Sequence, residues 1–140
     1  MNFVWIYISP ESPEITIEQA SAHIFATLGL SNNEERYSDN YEHGHYFVGY
    51  ATNGSLSVMH LSEYEKEFPF CASIESARSW RLPEKPINLT LDPADIARAL
   101  AQQGMRTFVP IGNDGRIDWD RRGTVYSRDH PDGQEMTLKV

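Results

Sequence analysis

Two histidines separated by one residue, His43 and His45, have the spacing of the ligands in some metal sites. In an extended chain, His43-Gly44-His45 would place both imidazoles on one side, because alternate residues of a strand share a face. No pattern of carboxylates accompanies them, and they lie where a polar segment meets an apolar one. We therefore interpret the pair as part of a surface loop and not as a metal site.

The single cysteine, Cys71, is the one thiol that could act as a nucleophile. The sequence identifies no base that would activate it, so we interpret it as a small buried apolar residue. One cysteine excludes an internal disulfide, which favours a reducing compartment, and we expect the cytoplasm. The apolar run at 3–8 is too short to cross a bilayer and lacks a basic start, so we expect no signal peptide and no membrane anchor.

Charge is distributed unevenly along the 140 residues, whose net charge is −8. Residues 1–75 carry eleven acidic and two basic side chains, a balance of −9, whereas residues 76–140 carry nine and ten, a balance of +1. An acidic half repels phosphate, so we expect no nucleic-acid partner. It would attract a cationic small molecule or a basic protein. Solubility alone is the other explanation of this asymmetry.

The first half of the chain shows the patterns of one strand, one helix and several further strands. In residues 2–9, Phe3, Trp5 and Tyr7 alternate with Val4, Ile6 and Ile8, which predicts a strand with two apolar faces. Thr16 followed by Gln19 predicts a capping box, and the helix that it starts ends at Gly29. The polar segment 31–43 reads as a loop. Strands are predicted at 46–50, 56–61 and 68–74, with a hairpin turn at Asn53-Gly54.

The second half repeats the opening of this order. Strand 87–91 is followed by Asp92 as N-cap and Pro93 in the first helical position, and Gly104 ends the helix. Strands then follow at 107–111, 116–119, 124–127 and 135–140. The last two are joined by the turn Pro131-Asp132-Gly133.

This order, together with four short segments, resembles the glyoxalase/bleomycin-resistance/dioxygenase superfamily, also called the vicinal oxygen chelate proteins. The segments are Phe25–Leu30, Phe47–Tyr50, Ile87–Gly104 and Tyr126–Gly133, and His130 looks like a one-residue insertion in the last. The family fold pairs two βαβββ units around a cleft. The resemblance therefore implies an α+β fold in a single domain of residues 1–140, with unit one at 1–82 and unit two at 86–140. It implies a curved mixed sheet around the cleft, with the helices on its outer face.

Catalytic members of the superfamily hold a divalent metal with His and Glu side chains from four strands. The corresponding positions here look like Phe3, His60, Asn88 and Thr137. Only one of these four side chains is a metal ligand, so we expect no metal and no cofactor in the cleft.

Face alternation within that fold predicts which side chains line the cleft and which pack on the helices. Met136 and Leu138 are predicted to pack on the helices. The predicted ligand-binding residues are Phe3, Trp5, Tyr7, Phe47, His60, Asn88, Thr90, Trp119, Glu135 and Thr137.

Without metal ligands and with its acidic charge, the chain looks like the bleomycin-resistance branch of the superfamily, whose members are acidic, dimeric and without metal ligands. We therefore predict a non-catalytic small-molecule-binding protein, forming a homodimer, that sequesters a cationic or aromatic ligand in an aromatic-lined cleft. One alternative is an enzyme of this fold with an altered metal site or none, acting through His60 and Glu135. Another is an acidic inhibitor of a basic protein.

Overall fold

A computed structural model of the chain describes residues 3–10, 15–38, 44–51, 54–60, 68–76, 92–110 and 122–137. Eight strands and two helices lie within them. They are β1 (Phe3–Ser9), α1 (Ile17–Leu28), β2 (Asn33–Tyr37), β3 (His45–Ala51), β4 (Gly54–His60), β5 (Phe70–Ser76), α2 (Pro93–Gln102), β6 (Arg106–Pro110), β7 (Arg122–Tyr126) and β8 (Gln134–Thr137). No helix among the described residues is long and apolar enough to cross a bilayer.

The strands form one sheet in the order β2-β3-β4-β5-β1-β6-β7-β8. All seven pairs of neighbours are antiparallel. The sequence predicted a mixed sheet, but the described strands form no parallel pair. β1 lies inside the sheet, where it pairs with β5 along Phe3–Ile8 and with β6 along Tyr7–Ser9. β1 therefore joins the four strands β2 to β5 on one side to the three strands β6 to β8 on the other.

The two apolar faces predicted for β1 are confirmed and explain where the helices lie. Ile6 and Ile8 are fully buried in a core that includes Ile24 of α1 and Leu100 of α2. Tyr7 packs in a separate cluster on the other side of the sheet, and the partly buried Trp5 packs against it. Both helices therefore cover one face, which we call the helix face, and Trp5 marks the open face.

Both helices begin as their sequences predict. The hydroxyl of Thr16 accepts a hydrogen bond from the Gln19 amide at 3.2 Å, and the Gln19 side chain accepts one from the Thr16 amide at 3.0 Å. This reciprocal pair satisfies two amides that α1 leaves without helical partners. Asp92 caps α2 by accepting from the Asp95 amide at 3.2 Å. Gly29 ends α1 in the left-handed conformation, with φ of 73°.

The largest error of the sequence prediction is in the segment 31–43, which it assigns to a loop. Residues 33–37 form β2, an edge strand whose five residues are all exposed. An edge strand exposed on both faces needs no apolar alternation, because its main chain pairs on one side only and its side chains remain in solvent. The first half of the chain thus has four strands after α1, one more than a βαβββ unit.

The other boundaries agree with the sequence prediction to within two residues where the chain is described. β5 starts immediately after Pro69, and the Gly133 backbone has φ of 93° in the predicted turn before β8. The strands predicted at 87–91 and 116–119 lie outside the described residues.

Candidate functional site

Among the ten residues that the sequence predicts for a ligand cleft, those whose side chains are described lie on two different faces of the sheet. Trp5 and Tyr7 lie on the open face, but Phe47 and His60 lie on the helix face. The reason is the β3–β4 register, in which Phe47 pairs with Val58 of the helix-side core. Phe3 belongs to β1, although its side chain is not described. Asn88, Thr90 and Trp119 lie outside the described residues.

The last strand has the opposite face assignment from the predicted one. Met136 pairs with Gly123 and packs against the cluster of Tyr7, Phe108 and Val125, so it lies on the open face. Glu135 and Thr137 therefore project to the other face, away from Tyr7. A shift of one residue reverses every side chain of a strand, and the turn before β8 contains the extra residue, His130, that the resemblance identified.

A patch of serines distinguishes the open face next to Trp5. Trp5 pairs with Ser73, and Ser73 pairs with Ser57, so the three form one row across β1, β5 and β4. In the next row, Glu75 pairs with Ser55. We call Ser55, Ser57 and Ser73 the serine patch. Ser55 and Ser73 are buried, which is uncommon for small polar side chains.

The indole of Trp5 carries an unsatisfied hydrogen-bond donor. Its Nε1 is buried and has no hydrogen-bond partner in the structure as described. A buried indole N–H usually finds an acceptor, and leaving one unpaired costs about 1–3 kcal/mol. The site beside Trp5 therefore lacks an acceptor that a bound molecule could supply.

A polar cluster lies farther along the open face, on β2 and β3. The Tyr50 hydroxyl donates to Glu34 Oε1 at 2.5 Å, and Arg36 Nε donates to the same oxygen at 2.8 Å. These bonds, that of Tyr50 first, lower the pKa of Glu34. Burial, followed by the hydrogen bond to Glu34, raises the pKa of Tyr50 to about 12. Tyr50 pairs with Ser55, so this cluster borders the serine patch.

Tyr7 has a different environment from Trp5. Its ring packs edge-on against Phe108, with centroids 6.3 Å apart, in a cluster that also contains Phe68 and Cys71. Cys71 is 2% exposed, and burial raises the pKa of its thiol to about 12. The interpretation of Cys71 as a buried apolar residue is confirmed. Tyr7 is packed interior, so of the two described aromatic residues of β1 only Trp5 borders the serine patch.

A second candidate lies on the helix face, at the N-terminal end of α1. A cavity of about 430 Å³ is lined there by Ile15, Thr16, Ile17, Glu18, His45, His60, Pro69 and Phe70. His45 Nδ1 lies 2.7 Å from Glu35 Oε2, and His45 Nε2 lies 3.7 Å from Glu18 Oε1. The hydrogen bond with His45, followed by one from Tyr37, lowers the pKa of Glu35.

The prediction that no carboxylates accompany the pair His43 and His45 is wrong for His45, whereas His43 lies outside the described residues. His45 begins β3, and its two carboxylates come from α1 and β2. The sequence could not bring them together, because β2 was not recognisable as a strand. One sequence feature could have indicated this site: in an extended strand at 33–37, Glu35 and Tyr37 are two residues apart and so lie on the same face.

A third depression, of about 550 Å³, lies beside the last hairpin. Its charged side chains are largely exposed and of both signs. Two of its arginines already make contacts within the protein: Arg106 lies 5.3 Å from the Phe68 ring centroid, and Arg128 donates to the Gln102 carbonyl at 3.3 Å. We therefore rank it below the other two sites.

Comparisons with known proteins add no assignment. No protein-family model matches the chain, and neither a curated protein nor a solved structure matches it.

Proposed function

We propose that this protein is a non-catalytic small-molecule-binding protein that holds a cationic, aromatic ligand on the open face, between Trp5 and the serine patch. The observation that carries the proposal is the buried Nε1–H of Trp5, which lacks an acceptor beside a row of small hydroxyls. A ligand oxygen or nitrogen would accept from Trp5, and the serine hydroxyls can donate or accept.

The charge of the ligand is inferred from its surroundings. Glu75 lies in the row next to Trp5, and Glu34 lies beyond it with Tyr50. The chain as a whole carries −8. An indole face attracts a cation through its quadrupole, and a nearby carboxylate adds to that attraction. A planar cation uses both features, whereas a planar anion is repelled.

The resemblance to bleomycin-resistance proteins supports the same function and belongs to this proposal. We also propose that the protein forms a homodimer, is cytoplasmic and contains a pair of βαβββ units with a cleft between them. In that arrangement the serine patch forms part of the cleft wall.

The alternative of an enzyme acting jointly through His60 and Glu135 is disfavoured by the sheet order. His60 lies on β4 and Glu135 on β8, which are five strands apart. At about 4.8 Å per strand, that separation is roughly 24 Å along the sheet, which disfavours joint action of the two side chains on one atom of a small substrate.

Isothermal titration calorimetry with berberine, a planar cation whose ether oxygens can accept a hydrogen bond from Trp5 Nε1–H, tests the proposal. Trp5→Ala should weaken binding by about 1–3 kcal/mol, as expected for an aromatic contact. Trp5→Phe keeps a ring but removes the N–H, so its loss should be smaller. Tyr37→Phe is the matched control, because Tyr37 is exposed on β2.

Two results would refute the proposal. One is equal binding of berberine and of the planar anion naphthalene-2-sulfonate by the wild-type protein. The other is a Trp5→Ala variant that is less stable yet binds berberine normally while folded, which would make Trp5 a core residue only.

A further inference from the structure

The helix-face cavity suggests a second binding site, which is independent of the proposed ligand site. At this cavity, Glu18 and His45 form a group of potential metal-ligating side chains with Glu35, which lies beside His45. One ligand atom of each can be chosen so that all three lie within 4.8 Å of one another. They come from α1, β2 and β3, so only the folded chain assembles them.

The geometry around His45 matches that of a metal-binding histidine. Such a histidine usually gives one ring N–H to a carboxylate, which fixes the ring and leaves the other nitrogen for the metal. Here Glu35 Oε2 lies 2.7 Å from Nδ1, and Tyr37 holds the other Glu35 oxygen at 2.7 Å. Glu35 is therefore fixed on both oxygens, and Nε2 of His45 faces Glu18.

The gap between His45 and Glu18 has the right width for one ion. Metal–nitrogen and metal–oxygen bonds are about 2.0–2.2 Å long, so a single ion can join two atoms up to roughly 4.2 Å apart. The distance from Nε2 to Glu18 Oε1 is 3.7 Å. An ion can therefore bridge them without movement of the strand or the helix.

A second imidazole, that of His60, lines the same cavity but lies outside the group whose ligand atoms fall within 4.8 Å of one another, so its ring must turn toward the ion to ligate it. The β3–β4 register includes the pair Phe47–Val58, and continuing it by two residues places His45 across from His60. Directly opposed side chains of an antiparallel pair have Cβ atoms about 4.5–5.5 Å apart. Both histidines line the same cavity as Glu18.

We propose that His45, His60 and Glu18 bind a divalent transition-metal ion, and that Glu35 positions His45 for it. Two imidazoles and one carboxylate favour zinc, cobalt or nickel over magnesium or calcium, which prefer oxygen ligands. This site lies on the face opposite Trp5 and shares only His60 with the four cleft positions at which the sequence predicts no metal.

Cobalt(II) is the probe that tests the proposal, because its visible absorption reports nitrogen and oxygen ligation directly. The metal-free wild-type protein should take up one cobalt per chain in equilibrium dialysis and develop that absorption. His45→Gln, His60→Gln and Glu18→Gln should each weaken the affinity more than about 100-fold, and Glu35→Gln about 10–100-fold.

His23→Gln is the matched control, since His23 is an exposed histidine of α1 and should leave binding unchanged. Circular dichroism in chelator checks that every variant folds. Cobalt uptake that persists at wild-type affinity in any of the three ligand variants overturns the proposal, as does the absence of uptake by the wild type. The cluster would then be only a structural contact of His45 with its two neighbouring carboxylates. Trp5→Ala should not alter cobalt binding, which separates this site from the one on the open face.

Discussion

Gly123 of β7 lies directly against the ring of Phe108 on β6. A Cβ atom built on Gly123 would come within 2.4 Å of Phe108 Cζ and within 2.5 Å of the Val109 carbonyl oxygen. Real side chains do not tolerate such distances, so the absence of a side chain at 123 is what lets the Phe108 ring approach β7 this closely. Phe108 is fully buried in the open-face cluster, which makes this contact part of the core.

We expect Gly123→Ala to destabilise the protein by about 1–3 kcal/mol, the usual cost of overpacking a core. Urea denaturation followed by circular dichroism measures it. In a Phe108→Leu background the same substitution should cost less, because the ring is gone while the Val109 carbonyl still opposes the methyl group. Strictly additive effects would show that the ring does not press on position 123.

Cys71 should be unreactive in the folded protein. Burial raises the pKa of its thiol to about 12, so almost no thiolate exists at neutral pH, and the sulfur is shielded from reagents. Iodoacetamide labelling at pH 8, followed by mass spectrometry, should be slow for the native protein and fast in guanidinium chloride. Comparable rates in the two conditions would contradict the buried position.

The hydroxyl of Tyr50 should lose its proton only at high pH, and the free energy of unfolding should decrease as it does so. Its pKa is raised to about 12, from 10.0 for a free tyrosine, so its contribution to stability is complete below pH 10 and is lost as the pH rises from 10 to 12. The difference in tyrosinate absorbance between wild type and Tyr50→Phe isolates this group. Glu34→Gln should lower the Tyr50 pKa but not fully to 10, because burial persists. An unchanged titration in Glu34→Gln would mean that the Tyr50–Glu34 hydrogen bond does not form.

Much of the fold is encoded in signals that operate over a few residues. Thr16, Gln19 and Asp92 form caps through neighbours three positions away, so the helix starts could be predicted. The alternation of Ile6 and Ile8 with Tyr7 likewise showed two buried faces of one strand. These features depend on local geometry and on burial, both of which the sequence records directly.

The candidate sites were harder to predict from the sequence, because they depend on the register between strands that are not consecutive in sequence or not recognisable in it. Trp5 was correctly placed on the face away from the helices, but its serine neighbours come from β4 and β5. His45 meets Glu35 only through pairing with β2, an exposed strand without apolar periodicity. Met136 was assigned to the wrong face because a single extra residue reverses a strand.

The interior position of β1 has a consequence for how the chain folds. Phe3 pairs with Glu75, and Tyr7 pairs with Phe108, so β1 bonds to segments about seventy and about a hundred positions later in the chain. Because such long loops must close before β1 is paired, we expect the protein to fold slowly. During synthesis β1 precedes all of its partners, and its apolar residues have no strand to pair with until β5 and then β6 emerge. Nascent chains that stop before residue 106 should therefore expose one side of β1 and be prone to aggregate or to bind chaperones.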